Sequence, residues 1–200
     1  MQNPSKRQLV YSTTNKIILS LEESKELSST KATLSNLRNS VGRPSAENLE
    51  GLKLLYQFIP EEFYTKYSKI TYEENAILTT LQLYAIHQQS EVESVNSTEQ
   101  KDVWDNVGES IAEIRTEDNF LSLDRRFNAM ITSQSFEELS NHLRQLIKIL
   151  KGTKDIIKIN YPKLSQDLYD FVRGYDERVR LNWSRAYYSK NISKGEENEK

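Results

Sequence analysis

The chain contains no cysteine, which excludes disulfide staples, a thiol nucleophile and any cysteine-ligated metal. That absence fits a reducing, cytoplasmic setting. Glycine and proline number only 6 and 4 among 200 residues, against 28% charged residues, a balance that favours helices over a turn-rich β architecture. Nowhere do about 18 apolar residues run together, and the longest apolar stretch near the N-terminus is Ile17-Ile18-Leu19. Neither a transmembrane helix nor a secretory leader is therefore expected. The two histidines, His87 and His142, belong to no HExxH pattern and have no further histidine three or four positions on. The phosphate-cradling patterns G-x-x-x-x-G-K-[ST] and G-x-G-x-x-G are also missing. The residues describe a soluble protein with no metal site, no cofactor and no legible catalytic constellation.

What the chain does have is an uneven distribution of charge. Residues 125–190 carry 13 Lys/Arg and 7 Asp/Glu, a local net charge of +6, whereas residues 1–124 carry 12 and 19, or −7. The formal total of −2 hides a segment whose field attracts a polyanion.

Periodicity predicts an all-α protein, a two-lobed bundle of about eight to nine helices. A first helix is expected around Lys6–Glu26, broken near Thr13-Thr14, and a second from Ser29 to Arg38, closed by the turn Gly42-Arg43-Pro44. Ser45 is a candidate cap for a third, carrying Leu49, Leu52 and Leu55. Thr71 and Glu74 form a capping box ahead of a helix to His87 that is apolar nearly all round, the mark of a bundle's middle. Residues 90–102 are polar and acidic without periodicity and read as a surface linker. Helices resume at Trp104–Arg115 and Asp124–Ile131. A second capping box, Ser135 with Glu138, precedes the seam Phe136, Leu139, Leu143, Leu146 and Leu150, which ends at Lys151-Gly152. Two more helices are expected at Asn160–Gly174 and Tyr175–Tyr188. The domain expectation is an N-terminal lobe with its acidic linker over 1–102, a basic lobe over 103–190, and a charged, disordered tail over 191–200.

The basic residues fall into stripes. Arg144, Lys148 and Lys151 recur at i, i+4 and i+7 opposite part of the leucine seam. Arg178, Asn182 and Arg185 share one face of the last helix, while Val179, Trp183, Ala186 and Tyr187 form its apolar face. Arg125-Arg126 stand near a predicted helix start, where the helix dipole is a poor partner for cations and an external anion suits them better. Arginine forks onto phosphate oxygens with two hydrogen bonds, and no base-reading motif accompanies these stripes, so contacts to the backbone alone are indicated. Asp167 and Asp170 share a helix face and read as a solvated or salt-bridged edge rather than a metal site. His87 reads as a hydrogen-bonded structural histidine.

Several blocks resemble a known family. Leu81-Gln82-Leu83-Tyr84-Ala85-Ile86-His87-Gln88-Gln89 resembles the LQLYAxHQQ block of CasB, the small subunit of the type I-E CRISPR Cascade complex. In family order stand Leu37-Arg38-Asn39-Ser40, Arg125-Arg126-Phe127, His142-Leu143-Arg144 and Ile159-Asn160-Tyr161. Leu164, Asp167-Leu168, Val179-Arg180, Trp183 and Tyr187-Tyr188 complete the set. The resemblance implies a two-lobed helical protein, two copies of which stack head to tail in a guide-RNA complex and hold the strands of the R-loop without cutting them. Its expected partners are single-stranded target DNA, the guide-RNA backbone, other Cascade subunits and a second copy of itself, with no membrane. Carried over by motif, the nucleic-acid contacts are Arg38, Arg125, Arg126, Arg144 and Arg180. Helix-face geometry adds Lys31, Arg43, Lys148, Arg178 and Arg185. Many relatives carry a basic pair in the first block; here Asn39 follows Arg38, which weakens the N-terminal contact. The alternative is a helical scaffold whose basic lobe docks an acidic protein. A peripheral membrane role would need exposed Trp or Leu beside the cations, and Trp183 and the leucine seam read as core.

Overall fold

The structure is a computed structural model that describes residues 4–41, 48–65, 69–97 and 105–190. Among them are nine α-helices and no strand: α1 (Lys6–Glu23), α2 (Ser28–Asn39), α3 (Leu49–Leu55), α4 (Tyr72–His87), α5 (Val107–Ala112), α6 (Phe120–Ile131), α7 (Phe136–Lys151), α8 (Tyr161–Val172) and α9 (Asp176–Ser189). The all-α expectation holds.

The caps explain several boundaries. Ser5 and Gln8 close a reciprocal capping box on α1, and Thr71 and Glu74 close one on α4. On α7 only half of the expected box forms. Ser135 accepts from the Glu138 amide, but the Glu138 carboxylate accepts from Gln134 instead, one residue earlier. The predicted break in α1 is absent: the Thr14 hydroxyl lies 2.9 Å from both the Val10 carbonyl and Ser165 Oγ of α8, so a buried polar side chain is satisfied without opening the helix. Helix α3 starts at Leu49, where the Asn48 side chain accepts from the Gly51 amide. Ser45, Trp104 and the turn at 42–44 lie outside the described residues, as does the tail 191–200.

Helix α4 is buried at every position from Ala76 to His87. It packs against α1, α2, α3, α7 and α8, and α8 in turn lies on both α1 and α4. Helix α6 packs on α7 and α9, and α5 on α9. Residues from both sides of position 102 thus share one hydrophobic core. The segment expected as a surface linker takes part in this union. Val95 is fully buried, and Asn96 and Ile159 form an isolated parallel bridge through Ile159 N–H to Val95 O (3.0 Å) and Ser97 N–H to Ile159 O (2.9 Å). Nearby, Tyr161 stands edge-on to Tyr84 at 5.4 Å, and its hydroxyl is 2.9 Å from His87 Nδ1. Burial, with a smaller push from Lys151, lowers the His87 pKa to about 4, so the ring is a neutral, structural member of the core.

Candidate nucleic-acid interface

The predicted contact residues separate by what they touch. Arg125 and Arg126 are exposed on α6 and meet no carboxylate among the described residues. Their helix begins at Phe120, four residues before the expected start, because the Asn119 side chain accepts from Thr116 N–H and donates to Ile114 O, folding the chain just ahead of it. The pair therefore sits in the second turn, where the helix dipole no longer bears on it. What remains is two cations without a carboxylate partner among the described residues.

On α7, Lys148 is exposed while Arg144 is half-buried, and Arg144 Nε is closed to solvent with no acceptor. The Arg144 guanidinium pairs with no carboxylate among the described residues. Arg185 on α9 is exposed and likewise without a carboxylate among the described residues. Arg38 is half-buried at the rim of a groove of about 560 Å³ between α2, the end of α4 and the segment after it. Burial lowers its pKa, and no carboxylate among the described residues compensates it.

Other predicted contacts are engaged inside the molecule. Arg180 donates to the carbonyls of Ile131 (2.9 Å) and Ser133 (2.6 Å), pairs with Asp176 (3.1 Å) and lies over the Phe171 ring, tying α9 to the α6–α7 corner. Arg178 pairs with Asp170 (2.9 Å) and covers Tyr175. Lys31 pairs with Glu26 (3.1 Å) at the surface. Arg43 lies outside the described residues. The Asp167–Asp170 edge proves to be salt-bridged and buried rather than solvated. Asp170 takes Arg7 Nε (2.8 Å) and Arg178, while Asp167 takes Lys163 and the Trp183 indole N–H (2.8 Å).

One arrangement is not evident in the sequence. Arg115 binds Asp124 through two hydrogen bonds (2.8 and 2.7 Å), and the Tyr187 hydroxyl donates to the same carboxylate (2.6 Å). Tyr187 stacks on Phe127 at 3.8 Å, and the Arg115 guanidinium lies 5.4 Å from the Tyr187 ring. These bonds hold the Asp124 pKa down and fix the backbone that presents Arg125 and Arg126. A carboxylate directly before a basic pair is its only local signal; its partners lie 9 and 63 residues away.

Fold and surface together define a class: a helical bundle whose α6, α7 and α9 each carry cations that no acid among the described residues pairs. Among the described residues no helix is long and apolar enough to cross a membrane, and none forms a group of three or more potential metal ligands. A family model described as CRISPR-associated protein Cse2 matches residues 33–188. The chain belongs to that family, whose membership implies a subunit of a CRISPR Cascade complex. The fold is similar to the crystal structure of CasB from Thermobifida fusca, with a TM-score of 0.71 and 25% identity over 90% of this chain and 98% of that one. It is also similar to the crystal structure of M. ruber CasB, with a TM-score of 0.63 and 22% identity over 94% of each chain. No curated protein sequence matches the chain. The resemblance to CasB read from the ordered blocks is borne out.

Proposed function

We propose that the chain is a non-catalytic Cascade subunit that stabilises the R-loop between guide RNA and target DNA in antiviral defence. It does so by gripping phosphate backbone without reading sequence. The carrying observation is the set Arg125, Arg126, Arg144, Lys148 and Arg185, distributed over three packed helices and without carboxylate partners among the described residues. Nearby acids such as Asp124, Asp167 and Asp170 are held by internal partners, so they do not oppose that field. Exchanging a DNA duplex for an RNA–DNA heteroduplex is nearly balanced in free energy, and modest backbone contacts then decide whether the open state persists. Such a subunit needs no pocket, metal or cofactor. The reading includes a cytoplasmic setting, a second copy in the complex, and contacts to single-stranded target DNA and guide-RNA backbone.

Fluorescence anisotropy with two unrelated single strands and one duplex tests it. Five phosphate contacts predict that affinity for both single strands falls about a hundredfold between about 50 and 200 mM salt. Retention of an acidic protein partner after nuclease digestion and at high salt, with no strand binding at low salt, would replace this reading by the scaffold one.

A further inference from the structure

A second groove, lined by none of the ten predicted contacts, lies where the starts of α1 and α4 meet the end of α8 and encloses about 640 Å³. Its floor is Tyr169, 2% exposed, whose hydroxyl donates to Glu73 (3.2 Å). Lys6 Nζ lies 3.0 Å from the same carboxylate oxygen, so the one acid of the lining is already compensated. Two further cations, Lys69 and Arg173, line the groove and pair with no carboxylate among the described residues. Arg173 is held in place: it donates to the Tyr169 hydroxyl (3.3 Å), and its guanidinium stands 5.4 Å from the Tyr169 ring and 5.7 Å from that of Tyr175.

One tyrosine of the lining presents open ring surface. Tyr72, at the first position of α4, is 57% exposed, whereas Tyr175, outside the lining, has the guanidiniums of Arg173 (5.7 Å) and Arg178 (5.1 Å) against its ring. Tyr175 is set by the turn that ends α8. Gly174 adopts φ +83°, and the amides of Gly174 and Tyr175 bond back to Phe171 O (3.1 Å) and Asp170 O (3.0 Å), the doubly bonded C-terminal turn that a glycine in the left-handed region permits. That fixed backbone holds the Tyr175 ring beside Arg173.

Cations without a carboxylate partner beside an exposed aromatic face are the combination that holds single-stranded nucleic acid, where phosphates meet charge and unstacked bases meet rings. An acidic peptide would satisfy Lys69 and Arg173 but offers no regular planar partner for Tyr72. We propose that this groove is a second contact site for single-stranded nucleic acid, with Lys69 and Arg173 on phosphate oxygens and Tyr72 stacking on a base. The proposal rests on the backbone-binding function above and adds base stacking to it.

The test uses the full chain, a labelled oligothymidylate long enough to cover both surfaces, and an abasic strand of equal length. Tyr72→Ala, at an exposed position, weakens oligothymidylate binding about five- to a hundredfold, the range of one lost base–aromatic stack, and leaves abasic binding unchanged. Lys69→Ala lowers the steepness of log affinity against log salt by about 0.7, one single-strand phosphate contact. The control is Arg125→Glu with Arg126→Glu. If it weakens binding while Tyr72→Ala and Lys69→Ala both behave as wild type, the groove is not on the strand's path and the inference falls with the parent reading intact. No binding by the wild-type chain at low salt overturns both. A polyglutamate peptide that loses as much affinity as oligothymidylate on Tyr72→Ala would reassign the groove to an acidic protein segment.

Discussion

Along α8, Asp167 and Asp170 are 6% and 4% exposed, and each is met by a cation brought from another turn or another helix: Lys163, Arg7 and Arg178. On α6 and α7, Arg125, Arg126, Arg144 and Lys148 meet no carboxylate among the described residues. Both regions fall within the segment of net charge +6, and a count of charges cannot tell them apart. Pairing can. A cation bonded to a buried acid keeps that acid inside the protein, and losing it leaves an uncompensated charge. A cation facing solvent without a partner contributes little to folding and is available to a polyanion.

The widest gap between the regions should appear on removing cations from each. Arg7→Ala with Arg178→Ala strands the Asp170 carboxylate in the core and should destabilise the protein by about 3–5 kcal/mol, read from the urea midpoint. Adding Asp170→Asn should recover part of the loss; a double variant as stable as wild type would break the distinction.

The core has its own response to pH. His87 titrates near 4 in the folded protein against an ordinary histidine value of 6.5, so between these values the unfolded chain binds the proton and the folded one does not. Its contribution is complete above pH about 6.5 and is lost as the pH falls towards about 4, on the order of 3 kcal/mol in all. Urea unfolding from pH 7 to 4 should show this slope, and His87→Gln should flatten it.

At the surface the signature reverses. Arg125→Glu with Arg126→Glu should leave the unfolding midpoint within the roughly 0.5 kcal/mol scatter of surface changes. It should cut strand affinity about tenfold or more and reduce the salt slope by about 1.4, two single-strand contacts. Smallest of all is the exposed Lys31–Glu26 pair: Lys31→Ala should leave the melting temperature unchanged and strand binding nearly so.

How much of this the chain displays in advance depends on the range of the interaction. Thr71 with Glu74, the leucines of α7 and the largely apolar run of α4 act within one or two turns, and each appears in the structure where periodicity places it. Charge segregation and the ordered blocks lead to the family. What stays hidden is long-range. Nothing near Arg180 signals that it will meet carbonyls 47 and 49 residues away, and nothing near Arg178 distinguishes it from Arg185 on the same face. Asn119 decides the start of α6 through backbone bonds behind it, which is why periodicity alone puts that helix four residues late. Tyr72 and Arg173 meet at one groove only because α4 and α8 pack together.

That packing has a consequence for synthesis. Helices α1 and α4 leave the ribosome early, yet the surface that covers Ile17, Ile18, Leu81 and Tyr84 includes α8, which ends only at Val172. Until then the nascent chain carries an apolar face with no cover, the kind of transient exposure that makes intermediates sticky. A fragment ending at residue 102 would stay in that condition permanently. The acidic character of the first 124 residues then keeps unfinished chains apart by mutual repulsion until the basic, core-completing helices have emerged.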